Sequence, residues 1–313
     1  MKNILLSPYA SERPFDWNGH FANGRPLCLE IGFGQGESLL TSIDEQPQFN
    51  YIGAEIDWTR IRKCLKSIQR LSLAKKQAAE TQIRVLKSDV WVLLERFIRE
   101  RTLARAACFF PCPWPKDCHE KHRLFSHDFL GLLNSRLAGG GEVLLVTDYE
   151  PYAQWVLDQS AGTGFDVSRR MIGGRLRTKF ERKWQAAGQQ EFFEITFNKK
   201  SHVCRPLKED VVLKASYHAE FNPERIKFNE YVSKGLAVIP KDWIYDQVRQ
   251  KGLARLVVSE EHLTQHVWIV IINTKKGWGV LCAEGQQVLP TKGVARAIEM
   301  VSLAVEETRK SRH

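Results

Sequence analysis

The feature that most constrains the fold of this chain is a regular alternation of apolar runs and amphipathic segments through roughly its first two hundred residues. The apolar runs predict seven strands, at Leu27–Phe33, Asn50–Asp57, Ile83–Asp89, Ala106–Phe110, Glu142–Asp148, Phe165–Met171 and Glu191–Asn198. The intervening segments predict helices at Thr59–Gln77, Val90–Arg101, Ser126–Leu137 and Pro151–Gly162. This alternation predicts an α/β fold with one doubly wound, parallel-type sheet, whose ligand crevice lies at the carboxyl edge.

The first predicted strand leads directly into a glycine-rich turn. Gly32, Gly34 and Gly36 allow backbone to approach a ligand closely, and the helix that follows offers free N–H groups. A glycine turn alone fits either a tight turn or a phosphate cradle. The absence of a GK[ST] sequence and the presence of Glu30 at the strand end argue against phosphate. An acid there would repel pyrophosphate and attract an ammonium or sulfonium group.

Later strands also end in acids, which this topology brings to the same edge of the sheet. Glu55 follows the glycine turn by about twenty residues, the spacing at which an acid meets ribose hydroxyls in such folds. The alternative is that Glu55 only caps the next helix. Asp89 and Asp148 end two further strands.

A proline-rich loop follows the fourth predicted strand. Pro111, Pro113 and Pro115 lack N–H groups and force the preceding residues away from helix, so the chain must leave the sheet as a stiff loop. The loop carries polar and aromatic side chains, namely Cys112, Trp114, Lys116, His119, Lys121, His122 and Arg123. A rigid loop of this kind at a strand end suits a substrate pocket better than a core.

The pattern changes near Val203, which predicts two domains, residues 1–202 and residues 203–313, joined by a linker at Lys199–Pro206. The second is predicted to be a small α+β module. Its predicted strands are Val211–Phe221, Ala254–Ser259, His266–Asn273 and Gly277–Ala283, and its predicted helices are Asp242–Gln250 and Thr291–Lys310. Its tryptophans, Trp243, Trp268 and Trp278, fit RNA contact about as well as core packing or dimerisation.

The net charge of +10 favours a polyanionic partner, most often a nucleic acid. The densest basic cluster comprises Arg169, Arg170, Arg175, Arg177, Lys179, Arg182 and Lys183. A second run of cations follows Glu55, at Arg60, Arg62, Lys63, Lys66 and Arg70, and is typical of a solvated helix face. No apolar run approaches the ~20 residues of a membrane span. No secretory signal is recognisable, and seven cysteines without a CxxC pair indicate reduced thiols, so we expect a cytoplasmic protein that does not bind membranes.

Residues from about Phe15 to Asn198 closely resemble the bacterial tRNA (guanine-N7)-methyltransferase family. The matching stretches, in family order, are LEIGFGQGESLL, NYIGAEID, FFPCPWPK, VTDYEPYA and RTKFE. The resemblance implies a class I methyltransferase fold with a seven-stranded, mostly parallel sheet, S-adenosylmethionine as the methyl donor, and a guanine in the variable loop of tRNA as the target. It does not extend beyond about residue 203, and it leaves the oligomeric state open.

The resemblance also implies roles for individual residues. The residues implied to bind the donor are Glu30, Gly32, Gly34 and Gly36 at the methionine end, Glu55 at the ribose, and Asp89 with Val90 at the adenine. Those implied to bind the substrate are Trp114, Lys116, His122, Arg123, Asp148, Thr178, Lys179 and Glu181. The candidate catalytic residues are Cys112, His119, Asp148 and Glu181.

Methylation of guanine N7 needs no proton removed, because N7 carries a free lone pair. Catalysis then consists mainly of positioning and electrostatics. Glu181 and Asp148 are suited to accept hydrogen bonds from the N1–H and N2–H₂ groups of the guanine, and Trp114 or Phe180 could stack on it.

The chain departs from the family at Cys112, where relatives usually carry an acid, and at the His122–Arg123 pair, which replaces a basic pair. Loss of such an acid commonly costs on the order of 10²–10³ in rate. Three interpretations follow: an enzyme with a rearranged pocket, an enzyme with another RNA substrate, or an RNA-binding protein with little or no turnover. A Cys112 nucleophile activated by His119 or His122 is a further alternative, and no metal is expected because the Cys and His spacing of this loop fits no common zinc pattern.

Overall fold

A computed structural model describes residues 4–9, 13–173, 186 and 191–309. The chain divides into two compact units, Met1–Lys208 and Glu209–His313. In the part of the chain that is described, no helix is both long enough and apolar enough to cross a membrane.

The first unit is built on a mixed sheet of eight strands. They are β1 (Leu5–Leu6), β2 (Leu27–Ile31), β3 (Asn50–Glu55), β4 (Ile83–Lys87), β5 (Leu103–Phe109), β6 (Leu137–Thr147), β7 (Phe165–Gly173) and β8 (Glu191–Lys199). Their order is β1-β4-β3-β2-β5-β6-β8-β7, and only the pairs that involve β8 are antiparallel. The seven predicted strands and the class I methyltransferase fold are confirmed. The eighth strand, β1, is a two-residue addition at the edge.

Seven α-helices in the described part of this unit connect or cover the strands. They are α1 (Trp17–Phe21), α2 (Glu37–Glu45), α3 (Trp58–Gln69), α4 (Leu73–Gln82), α5 (Val90–Arg96), α6 (His127–Arg136) and α7 (Glu150–Gln159). A 3₁₀ helix covers Asp117–His122. The prediction of a single helix over Thr59–Gln77 is wrong, because the helical segment is interrupted before Ser72, the N-cap of α4. Serine is favoured at an N-cap and is a weak helix former, so it ends one helix and starts the next.

The strand order places a crevice beside β2. From β2 the chain adds β3 and β4 on one side, and then crosses to β5 on the other. A ligand site is expected at such a reversal, outside the carboxyl ends of the strands. The central strands are buried on both faces: every residue of β2 and of β3 is buried.

The second unit is an antiparallel sheet with a helix on one face. Its strands are β9 (Ser216–His218), β10 (Tyr231–Ser233), β11 (Leu236–Asp246), β12 (Lys251–Glu260), β13 (Leu263–Thr274) and β14 (Gly277–Cys282), in the order β10-β11-β12-β13-β14-β9. Helix α8 (Lys292–Glu307) packs Val294, Ile298, Val301 and Val305 into the core of this unit. The α+β prediction, the β13–β14 hairpin and the last helix are therefore confirmed.

The helix predicted over Asp242–Gln250 is wrong. Its first half continues β11, and Trp243 pairs with Ala254 across the sheet. Gly252 makes room for the indole, since a Cβ atom there would lie 2.2 Å from the ring of Trp243. The strand predicted over Val211–Phe221 is shorter in the structure, where only Ser216–His218 is paired.

Candidate active site

The turn between β2 and α2 brings backbone to the crevice, because its glycines adopt conformations that other residues avoid. Gly32, Gly34 and Gly36 have φ angles of +66°, +57° and +81°. A Cβ atom on Gly36 would lie 2.3 Å from the sulfur of Cys64, so a larger residue does not fit. Gly36 is also the N-cap of α2, so the turn presents the N–H groups of the first helical turn.

Glu55 is fixed by the backbone around it. Its carboxylate accepts hydrogen bonds from the N–H groups of Gly34 (3.1 Å), Ile56 (2.8 Å) and Asp57 (2.9 Å). The N-cap of α3 is Asp57, which accepts from the N–H of Thr59 at 2.7 Å. Glu55 therefore does not cap the helix; it joins the end of β3 to the glycine turn.

Glu30 is, like Glu55, a buried acid of the site, with 6% of its surface exposed at the end of β2. Burial raises the pKa of its carboxyl group to about 8, and a hydrogen bond with Ser38 partly opposes this shift. The carboxyl group is therefore mostly protonated at neutral pH. A cationic ligand group beside it would favour the ionised form.

Two cavities adjoin at the carboxyl ends of β2, β3 and β5. The larger, of about 720 Å³, is lined by the glycine turn, Glu30, Cys112 and Asp148. The smaller, of about 260 Å³, is lined by Glu55, Asp89 and neighbouring residues. Cys112 lines both cavities, and we call the two together the cleft. The structure thus brings the predicted donor-binding acids and the proline-rich loop together.

Asp89 begins α5 at the edge of the smaller cavity. As the N-cap of that helix, its carboxylate accepts a hydrogen bond from the N–H of Trp91 at 2.7 Å. Val90 lines the same cavity. The backbone of Asp89 and Val90 is therefore held at the cavity by the start of a helix.

The proline-rich loop leaves the sheet through a strained turn. Phe110 has a φ angle of +55°, and its N–H donates to the carbonyl of Val146 at 2.8 Å. Trp114 has a φ angle of +44°, and its ring meets that of His119 edge-on, with centroids 5.6 Å apart. Left-handed backbone at non-glycine residues costs of order 1–3 kcal/mol each, and it persists only where the surroundings hold it.

Arg123 supplies much of that support. Its side chain is 8% exposed, its Nε donates to the carbonyl of Pro113 at 3.1 Å, and its Nη2 donates to that of Trp114 at 3.3 Å. The guanidinium also lies over the ring of Trp155, 5.2 Å from its centroid. The Trp155 Nε1–H donates to Glu120 at 2.7 Å. Arg123 therefore stabilises the shape of the loop through its backbone carbonyls and does not line the cleft.

The other predicted substrate-side residues differ in placement. His122 lines the smaller cavity, and Lys116 is exposed on the loop. Thr178, Lys179 and Glu181 lie outside the described residues, as does most of the predicted basic cluster. The seven cysteines are unpaired, and the described residues contain no group of three or more His, Cys, Asp or Glu that could hold a metal ion.

Three cleft residues were not singled out from the sequence. Ile56, 66% exposed, lines the smaller cavity directly after Glu55. Arg60 and Lys63, which sequence analysis assigned to a solvated face, line the larger cavity. The sequence did contain a signal for these residues, since they lie in the first two turns of the helix that follows Glu55. The start of a helix that follows a strand-end acid lies at the crevice.

The sheet order and the chemistry of the turn together define a class of protein. The glycine turn is bordered by the carboxyl groups of Glu30 and Glu55, which would oppose a bound phosphate. Carboxylates beside a nucleoside-sized cleft match a ligand that carries an ammonium, a sulfonium and ribose hydroxyls. The fold and the site are those of a class I, S-adenosylmethionine-dependent methyltransferase.

Comparison with known proteins identifies the family. Residues 24–194 match the family model described as "Putative methyltransferase". A tRNA (guanine-N(7)-)-methyltransferase of Chlorobium phaeobacteroides is 38% identical over 175 residues, which cover 56% of this chain and 82% of that protein. The enzyme of the same name from Thermotoga maritima is 27% identical over 294 residues and covers 92% of both chains. The chain belongs to the tRNA (guanine-N7)-methyltransferase family, which confirms the resemblance seen in its sequence.

Proposed function

We propose that this protein is an S-adenosylmethionine-dependent methyltransferase that forms N7-methylguanine in the variable loop of tRNA. The observation that carries the proposal is the cleft, where the glycine turn and Glu30 face the same space as Cys112 and Asp148. Relatives that align over 56% and over 92% of this chain carry this activity in their names. They favour an enzyme over a non-catalytic RNA-binding protein.

The described residues fit the donor. Glu30 would hold its ammonium group at the glycine turn, and Glu55, fixed by three backbone N–H groups, would accept from its ribose hydroxyls. The backbone of Asp89 and Val90 would meet the adenine edge, with Ile56 against the ring. When bound, the donor supplies an electrophilic methyl group on a sulfonium.

The opposite wall of the larger cavity would hold the guanine. Asp148 lines this cavity together with the proline-rich loop, and its carboxylate would accept hydrogen bonds from the N1–H and N2–H₂ groups of the base. These hydrogen bonds fix the ring and stabilise the positive charge that develops on it. Cys112 lines this wall with an exposed thiol, a weak acceptor, so we infer that it shapes the pocket while Asp148 orients the base. Glu181 stays a candidate for a second acceptor.

We assign positioning roles to two predicted site residues. Arg123 holds the loop carbonyls, and His119 packs against Trp114, so both would act through the loop's shape. Trp114, Lys116 and His122 would contact the RNA around the guanine.

The remaining assignments extend the same proposal. Residues 1–202 would form the methyltransferase domain and residues 203–313 an accessory module. The Thermotoga maritima relative aligns over 92% of this chain, so its similarity reaches into the accessory module. A tRNA substrate places the protein in the cytoplasm.

Incubation with isotopically labelled S-adenosylmethionine and unmodified tRNA tests the proposal. We expect labelled N7-methylguanosine in the nuclease digest, and none from a tRNA whose variable-loop guanine is replaced by adenine. Intact donor and tRNA binding without product, in both the native protein and Cys112→Asp, would instead establish the non-catalytic alternative. Label in another nucleoside would show that the enzyme has a different target.

A further inference from the structure

Helix α3 has an unusual charge distribution. Its twelve residues include four cations and no acid, and Arg70 follows at the C-cap. Ile61, Cys64 and Ile68 are fully buried, which fixes the orientation of the helix on the sheet. The cations therefore occupy the side of the helix that faces away from the core.

The spacing of the exposed residues places them together. Trp58, Arg62 and Lys66 are separated by four residues each, so they form one row along the helix. Lys63 and Arg70 lie beside Lys66 at spacings of three and four. All five side chains are exposed, and Trp58 keeps 43% of its surface in solvent. We call this surface the α3 face.

The cations of the α3 face lack acidic partners within the described chain. Arg60, which points to the cleft, lies 3.6 Å from Glu55 and 3.7 Å from Asp57. Among the described residues, no ion pair or side-chain hydrogen bond involves Arg62, Lys63, Lys66 or Arg70. Four uncompensated like charges on one helix repel each other, so an anionic partner would be bound strongly.

The α3 face is also continuous with the cleft. Lys63 belongs to both, because it lines the larger cavity and lies beside Lys66 on the helix. A helix of this length extends about 18 Å, enough to meet several consecutive phosphates of an RNA strand that passes the cleft. An exposed tryptophan beside cations is the combination that binds unpaired nucleotides by stacking and phosphate contact.

We propose that the α3 face is an RNA-contact surface, in which Arg62, Lys63, Lys66 and Arg70 bind phosphates and Trp58 stacks on an unpaired base of the substrate. The inference rests on the proposed function, since it takes tRNA as the ligand. It replaces the interpretation, suggested by the sequence, that these cations only form a solvated helix face. It also gives an RNA-stacking role to Trp58, a residue that has no role in the proposed methyl-transfer site.

The test compares three variants that leave the cleft intact. Arg62→Gln/Lys66→Gln/Arg70→Gln removes three cations from the α3 face and spares Lys63. Trp58→Ala removes the stacking surface. The matched control removes three exposed cations from the second unit, as Lys234→Gln/Lys241→Gln/Lys275→Gln. Donor affinity and thermal midpoint are measured for each variant, to show that the cleft and the fold are preserved.

Affinity for unmodified tRNA is then measured over a range of salt concentrations. At about 0.15 M salt we expect the triple α3 variant to bind about 10- to 100-fold more weakly than the control, with a logarithmic salt slope reduced by about two to three. Trp58→Ala should bind about 5- to 100-fold more weakly with little change of slope, because stacking releases no counterions.

Affinities and slopes equal to those of the control variant would overturn the proposal. Loss of binding to anionic vesicles with unchanged tRNA affinity would also overturn it and assign the face to a membrane surface. These binding results are independent of the product assay. Native protein that binds tRNA through the α3 face and makes no N7-methylguanosine would therefore refute the proposed function alone.

Discussion

A Glu30 carboxylate that holds the donor's ammonium group should couple donor binding to the release of a proton, and this coupling can be measured. With a pKa of about 8, the carboxyl group is about 0.9 protonated at pH 7 in the absence of a ligand. The ammonium group of the donor favours the carboxylate, so binding should expel most of this proton. We expect about 0.9 proton released per donor bound between pH 6 and 7, where an α-amino group is itself still mostly protonated.

The same coupling sets the pH dependence of affinity. Because binding requires the ionised form, donor affinity should rise as pH rises from 6 to 7, by close to tenfold per unit. Titration calorimetry in buffers of different ionisation enthalpy gives the proton count directly. The perturbation is Glu30→Gln, which should reduce both the proton release and the pH slope to near zero and weaken binding at pH 7.

Glu45→Gln is a suitable control, because it removes an exposed carboxyl group from the C-terminal end of α2, the helix that follows the glycine turn. It should keep the native proton release. If Glu30→Gln releases as many protons as the native protein, or if the native protein releases none, the assignment of Glu30 to the ammonium is refuted.

The donor-free protein offers an independent check on the state of Glu30. Its folded pKa of about 8 lies above the ordinary value of 4.5, so the folded state binds more protons between these values. Stability should therefore fall as pH rises through this window, by on the order of 4 kcal/mol. Chemical denaturation at pH 5 and pH 8 should show this loss in the native protein, and a much smaller one in Glu30→Gln.

Three further substitutions probe the turn, the loop and the pocket. Gly36→Ala places a Cβ atom 2.3 Å from the Cys64 sulfur, so it should lower stability by about 2–4 kcal/mol and weaken donor binding. The control Gly24→Ala, at a φ of +66° with nothing within 4 Å of the new Cβ atom, should cost about 1 kcal/mol. Equal losses of stability in denaturant titrations would contradict the steric argument. Arg123→Met should lower kcat/KM for tRNA about 10- to 100-fold with donor affinity unchanged, and an unaltered kcat/KM would show that the loop keeps its shape without the guanidinium. Cys112→Asp should raise kcat/KM about tenfold by adding an acceptor for the guanine N1–H, and a fall would mean that the pocket is arranged around a neutral side chain.

The placement of the strand-end acids at the cleft could be predicted from the sequence, because the signals are local. Strand-end acids and glycines with positive φ angles are visible as residue types at fixed spacings, and Glu30, Glu55 and Asp89 all lie at the cleft. The role of Arg123 could not be predicted in this way. Its contacts with two loop carbonyls and with Trp155, thirty-two positions later, depend on tertiary packing. The break at Ser72 was missed because the helical pattern continues on both sides of it.

The second unit shows how tertiary structure decides between two interpretations that the sequence left open. Its tryptophans fitted RNA contact or core packing, and the structure packs Trp243 and Trp278 against the hydrophobic core around Phe221. Residues 209–313 carry 15 Lys and Arg against 13 Asp and Glu, so +8 of the net charge of +10 belongs to the first unit. Long-range attraction of a polyanion follows net charge. The electrostatic contribution to tRNA binding should therefore come mainly from the first unit, which contains the cleft and the α3 face.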